Sequence, residues 1–302
     1  MKWRTHSVQY CVALMALYLI ASLLIPLSRE TREAYNLSLA QAHIISFITI
    51  LPLFGIWFVA FYAYGLLQKY ARAIRHDEEG VAFSKIADGV MILSWGLVAQ
   101  AFASLILGWV GDQAGGMRAT VVVLQSYITL IFPLIAFSYI WSGTQKLLGH
   151  RKNVGSLMAS RTLLLVFAGI AAAYVYLVLR LHEQSGSEVS PLPALLLLVT
   201  IIVPYLFAWF SGITAAYELT VHARLTRGLL YKRALNLLAG GLAFLIVATI
   251  AMQYFNSMFL SNLGEFSINA VLLVDYLLLL MIALGYVIVI AGVRGLQKIE
   301  EV

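Results

Sequence analysis

The sequence predicts an all-α integral membrane protein with eight transmembrane helices, arranged as two parallel four-helix repeats with both termini in the cytoplasm. Three observations predict it. Of 302 residues, 62% are hydrophobic and only 11% are Asp, Glu, Lys or Arg, against about 25% charged in a soluble globular domain. The apolar residues gather into long runs whose alternate ends carry most of the basic charge. The chain also matches itself at a fixed offset.

The same composition excludes other classes. So few charges exclude a disordered chain or a long coiled coil. The net charge of +6 is spread over loops with no groove-reading motif, so membrane lipid is the expected partner and nucleic acid is not. A single cysteine, Cys11, rules out an intramolecular disulfide, a Cys-ligated zinc site and a Cys-bound iron–sulfur cluster.

A hydrocarbon core about 30 Å thick takes about 20 mainly apolar residues per helix. Eight runs meet that length, at 7–27, 42–68, 85–110, 118–145, 160–181, 193–218, 233–256 and 267–293. Barrel strands would instead alternate over about 10 residues. The first run follows Lys2 and Arg4 in the manner of a signal peptide. It continues to Pro26 and Leu27 without a small-residue cleavage pattern, so it is expected to be a retained helix. The second opens near His43 and extends past the headgroups through Arg72 and Arg75. Asp77, Glu78, Glu79 and Gly80 then form an acidic patch that the sequence marks as a helix stop before the third run. Gly111, Asp112, Gly115 and Gly116 mark the turn between the third and fourth runs. The fifth lies between Arg161 and Arg180, the sixth ends at Glu218, the seventh follows Lys232 and Arg233, and the eighth holds Asp275. Glu218 is expected at the interface, neutralised by Arg224 or Lys232.

Orientation follows from the basic residues. Sixteen of the 20 fall at the N-terminus, in the second-to-third, fourth-to-fifth and sixth-to-seventh connections, and in the C-terminal tail. Only Arg29, Arg32, Arg118 and Arg180 lie on the other side. Over short loops the positive-inside rule therefore puts both termini in the cytoplasm of a cell or inner membrane.

Sliding the chain by 152 residues pairs Ile50 with Ile202, Pro52 with Pro204, Trp57 with Trp209, Phe58 with Phe210, Ala63 with Ala215, Ala71 with Ala223, Arg72 with Arg224 and Arg75 with Arg227. The units are 1–150 and 151–302. An even number of spans per unit gives both copies the same orientation, as in parallel-repeat transporters. Pro52, Pro204 and Pro133 each remove a backbone donor inside a helix, so they are candidate hinges.

Ionisable groups at membrane depth are costly and point to function. Asp275 stands in the outer half of the eighth run beside Tyr276. Gln125, Ser126 and Tyr127 stand at similar depth in the fourth, with Gln100 approaching from the third. Matching Tyr127 to Tyr276 sets Ser126 against Asp275, which defines a candidate polar site between the repeats for a cation or proton. The competing role for Gln100, Gln125, Ser126 and the tyrosines is interhelical hydrogen bonding.

No His-Glu-x-x-His, Gly-x-Ser-x-Gly or P-loop pattern occurs, and the six histidines do not form facing pairs within spans as haem ligation would want. No cofactor, metal site or enzyme activity is therefore expected. Two classes fit: a small transporter or channel built around Asp275, and a noncatalytic membrane subunit or scaffold. The second would meet a protein partner, or a second copy of the chain, through Arg72, Arg75, Arg224 and Arg227.

Overall fold

A computed structural model describes residues 12–13, 15–21, 29–74, 77–113, 118–149, 203–226, 228–261 and 266–300. Every regular element among them is helical. A short α1 (Arg29–Ala34) precedes six long helices: α2 (Leu39–Ala73), α3 (Asp77–Gln113), α4 (Arg118–Leu148), α5 (Val203–Leu225), α6 (Leu229–Ser261) and α7 (Ile268–Glu300). The predicted run 160–181 lies outside the described residues, as do residues 193–202 of the run 193–218 and both ends of 7–27.

Among the described residues four stretches are long and apolar enough to cross a membrane: Leu39–Ala73, Glu78–Ala103, Leu229–Phe255 and Ile268–Ile299. The chain therefore has the helices of a multi-pass membrane protein. They outrun the bilayer. At 1.5 Å per residue the 35 residues of α2 reach about 52 Å, well beyond a hydrocarbon core of about 30 Å.

Local chemistry sets the helix limits. Asn36 takes a left-handed conformation, φ 52°, after α1. Ser38 then caps α2: its hydroxyl accepts from the Gln41 backbone N–H at 3.3 Å, and the Gln41 side chain accepts from the Ser38 N–H at 2.9 Å. At its far end α2 stops at Ile74, whose backbone is extended at φ −68°, ψ 119°. Asp77, Glu78 and Glu79 form the first turn of α3. The acidic patch therefore starts a helix instead of ending one, because carboxylates are favoured by the positive end of the helix dipole. Gly80 sits inside α3, where a Cβ would lie 2.7 Å from the Ala71 carbonyl oxygen, so its role is close approach of α2. The turn expected from residue 111 begins later, since α3 continues to Gln113.

The long helices pack in chain order, α2 on α3, α3 on α4, α4 on α5, α5 on α6 and α6 on α7, and α7 returns to α2 to close a ring. The most extensive contacts are α3 with α4 and α6 with α7. One core fills the interior, including Phe83, Phe137, Leu219, Leu242 and Tyr286. Tyr18, from the first run, packs its ring edge-on against Phe54 and Phe102, at centroid distances of 6.1 and 5.0 Å.

One spacing recurs. The C-terminal ends of α2 and α5, the N-terminal ends of α3 and α6, and the C-terminal ends of α4 and α7 are each 152 residues apart.

Candidate functional site

Glycines and polar side chains both make the contacts of the ring. Within the α3–α4 pair, a Cβ on Gly89 would lie 2.5 Å from Ile140 Cγ1 and 2.6 Å from the Ala136 carbonyl oxygen, and one on Gly143 would lie 2.6 Å from the Ala82 carbonyl. Within α6–α7, a Cβ on Gly241 would lie 2.7 Å from the Val289 backbone nitrogen, and one on Gly295 would lie 3.0 Å from Ala234 Cβ. Gly89 and Gly241, Gly143 and Gly295, and the partners Ala82 and Ala234 again stand 152 apart. Lipid gives helices no hydrophobic reason to associate, so such close backbone approach supplies the attraction as dispersion.

The seams that join α4 to α5 and α7 to α2 carry several bonds between polar side chains. Along α7–α2, the Tyr276 hydroxyl donates to the Ile48 carbonyl at 2.8 Å, Arg294 to the Tyr62 hydroxyl at 2.9 Å, and Gln297 to the Leu66 carbonyl at 3.0 Å. Asp275 lies one residue before Tyr276, half-buried, with no hydrogen bond or ion pair among the described residues. Along α4–α5, the Thr129 and Tyr205 hydroxyls are 2.9 Å apart. Gln253 of α6 joins them by donating to the Thr129 carbonyl at 3.3 Å and accepting from Trp209 at 3.1 Å. Trp57, which the sequence pairs with Trp209, is 1% exposed and its indole N–H has no hydrogen-bond partner among the described residues. Ala101 stands at the position that corresponds to Gln253.

Deeper toward the basic end of α4–α5 lies Glu218. Only 7% of it is exposed, where the sequence led us to expect an interfacial group neutralised by Arg224 or Lys232. It sits on the stripe of α5 that packs inward, with Ala215, Leu219 and His222. Thr144 Oγ1 lies 2.9 Å from one of its carboxyl oxygens, and Trp141 Nε1 donates to the other at 3.4 Å.

The remaining predicted residues are dispersed. Tyr127 is exposed and Gln100 half-buried; Gln125 and Ser126 belong to α4, but their side chains are outside the described ones. Tyr127 and Asp275 belong to α4 and α7, and α4 packs mainly on α3 and α5 whereas α7 packs mainly on α6 and α2. In the register of the helix ends, Asp275 corresponds to Val123 and not to Ser126. Pro52 and Pro133 lie inside α2 and α4, and Pro204 is the second residue of α5. Arg72 and Arg224 are exposed in the last turns of α2 and α5, while Arg75 and Arg227 lie outside the described residues.

Sequence reasoning passed over one polar cluster. Gln68 donates to Asp88 at 3.0 Å and to Ser84 at 3.2 Å, and nearby Lys85 donates to Ser142 at 2.7 Å. The signal was available: Ser84 and Asp88 are spaced i, i+4, which puts them on one face of a helix that begins just after Gln68. Among the described residues no three His, Cys, Asp or Glu side chains gather to hold a metal. No known protein family, curated protein or solved structure matches the chain.

Proposed function

We propose that the chain is a small transporter or channel with eight membrane-spanning helices in two parallel four-helix repeats, 1–150 and 151–302, which passes a cation or proton between its halves. The observation that carries this reading is Asp275. A carboxyl group deep in an apolar span, with no partner among the described residues, is costly to keep unless it binds something. The duplication is supported by three helix ends, two pairs of contact glycines and the repeated Gln-Lys of Gln145-Lys146 and Gln297-Lys298, all at one offset. Glycine-packed pairs, with Lys85–Ser142 bonded inside one of them, make firm units through their interlocked backbones, and the seams between them are the natural planes of movement, since polar bonds can exchange partners where interlocked backbones cannot. The charge distribution supports cytoplasmic termini.

The test is flux into proteoliposomes carrying a pH-sensitive dye, driven by a Na⁺ or K⁺ gradient. Wild type should move protons or the cation, and Asp275→Asn should abolish that flux while the protein remains folded. Equal flux in the variant removes Asp275 from the pathway. No flux in wild type removes the transport of these ions.

A second reading, a noncatalytic subunit docking through its basic end, has one observation of its own. Arg72 and Arg224 are exposed at matching positions and make no ion pair among the described residues. Reversing Arg72, Arg75, Arg224 and Arg227 to Glu should then release a partner that co-purifies stoichiometrically in mild detergent. Retention of that partner refutes the docking site.

A further inference from the structure

The polar cluster of α2, α3 and α4 lies on the outside of the ring. Val81, Lys85, Asp88, Ile92 and Trp95 recur every three or four residues, which puts them on one face of α3. Val81 and Trp95 are exposed, and Lys85, Asp88 and Ile92 are half-buried, so α3 turns this face to lipid. At 1.5 Å per residue the 37 residues of α3 reach about 55 Å, which leaves about 12 Å beyond the hydrocarbon at either end. Lys85 stands about 12 Å along the helix from Asp77, and Asp88 about 16 Å. A cation and an anion therefore sit at the edge of the hydrocarbon, where the headgroups begin.

These two charges are spaced i, i+3 and could pair with each other. They do not: among the described residues neither makes an ion pair. Lys85 Nζ is drawn to one side, donating to Ser142 of α4 at 2.7 Å, while Asp88 Oδ1 is held on the other, accepting from Gln68 of α2 at 3.0 Å. Both partners are neutral. An ammonium has three donors and a carboxylate two acceptor oxygens, so Lys85 keeps two donors, and no described residue bonds to Asp88 Oδ2. The helix packing does not require the charges. At the corresponding positions of α6, 152 residues on, stand Leu237 and Gly240, both exposed, and a Cβ on Gly240 would meet nothing within 4 Å. Two helices with matching contact glycines thus differ on their outer face, which is bare and apolar on α6 and carries a separated pair of charges on α3.

We propose that Lys85 and Asp88 bind one phospholipid whose headgroup carries both a phosphate and a primary ammonium, as phosphatidylethanolamine does, in the leaflet at the basic end. Lys85 donates to the phosphate and Asp88 accepts from the ammonium, each through a charge-assisted hydrogen bond. Ile92 and the exposed Trp95, further along the same face, meet the acyl chains. A trimethylated headgroup brings no N–H to Asp88, and a glycerol headgroup brings no positive charge, so each leaves the carboxylate unpaired at the edge of the hydrocarbon. The site does not depend on Asp275 or on any flux.

The test is native mass spectrometry of the purified full chain, stripped of lipid and then given phosphatidylethanolamine, phosphatidylcholine or phosphatidylglycerol with the same acyl chains. Wild type should hold one phosphatidylethanolamine about tenfold more tightly than either of the others, the worth of one hydrogen bond to a charged group. Asp88→Asn should lower phosphatidylethanolamine to the level of phosphatidylcholine. Lys85→Leu, which copies Leu237, should weaken all three lipids alike, because all three carry the phosphate. Equal or reversed affinities in wild type overturn the proposal, and that comparison decides even where the variants do not fold. Either variant binding as wild type does also overturns it. Displacement of the lipid by soluble glycerophosphoethanolamine as readily as by phosphatidylethanolamine itself overturns the assignment to a membrane lipid. Because the readout is lipid retention, its failure is distinct from failure of transport.

Discussion

Gly241→Ala and Gly240→Ala differ by one position on α6 and should have opposite effects. In a helix interior, Ala in place of Gly gains up to about 1 kcal/mol by restricting the unfolded chain. At Gly240 nothing lies within 4 Å of the new Cβ, so that gain should appear undiminished. At Gly241 the Cβ would meet the Val289 backbone nitrogen at 2.7 Å and Val289 Cγ2 at 2.8 Å. Ordinary contact begins at 3.4 Å, so α6 and α7 must part locally by 0.7 Å at the Val289 nitrogen. Gaps of that size forfeit a quarter or more of the dispersion at each contact they open. Overpacking of this kind costs about 1–3 kcal/mol. Gly89→Ala should match Gly241→Ala, since its closest fixed atom, the Ala136 carbonyl oxygen, is 2.6 Å away. The assay is unfolding in mixed micelles with rising SDS fraction, followed by circular dichroism. The neighbouring substitutions should be separated by about 2–4 kcal/mol. If Gly240→Ala is as harmful as Gly241→Ala, or Gly241→Ala is neutral, the glycine-packed units are not what holds these helix pairs together.

Other outcomes are as specific. Gln253→Ala leaves the Trp209 indole without its 3.1 Å acceptor, which should cost about 1–3 kcal/mol in the same unfolding assay. A wild-type transition there would show that water replaces the glutamine. Ser38→Ala removes the cap of α2 and should cost about 1 kcal/mol, seen as faster amide hydrogen exchange at Ala40 and Gln41 with no change deeper in the helix. Unchanged exchange would mean that the capping box does not hold the helix start.

Asp275, Gln125 and the tyrosines were visible in the sequence because a polar residue in an apolar run stands out by composition alone. Which of them meet was not visible. The Tyr127–Tyr276 alignment placed Ser126 beside Asp275, but the helix ends fix a register in which Asp275 stands level with Val123. A match of two tyrosines is weak against the bias of apolar runs. The contacts of Glu218 were hidden for a related reason. Its nearness to Arg224 and Lys232 in sequence drew attention to those cations, whereas the inward stripe of α5 also brings it to Thr144 and Trp141.

The sequence by itself determined the helical class, the apolar lengths and the alternation of basic charge, because each depends on the solvent surrounding a segment more than on its neighbours. It also held the 152-residue offset, including the glycines whose purpose it could not disclose. Only the tertiary structure decided that those glycines lie between α3 and α4 and between α6 and α7, and that the hydrogen bonds of Tyr276, Thr129 and Glu218 bind the other seams. The physical reason is that an apolar helix in lipid has no preferred inward face. Close backbone contact and hydrogen bonding choose that face, and both need a partner that the linear chain does not name.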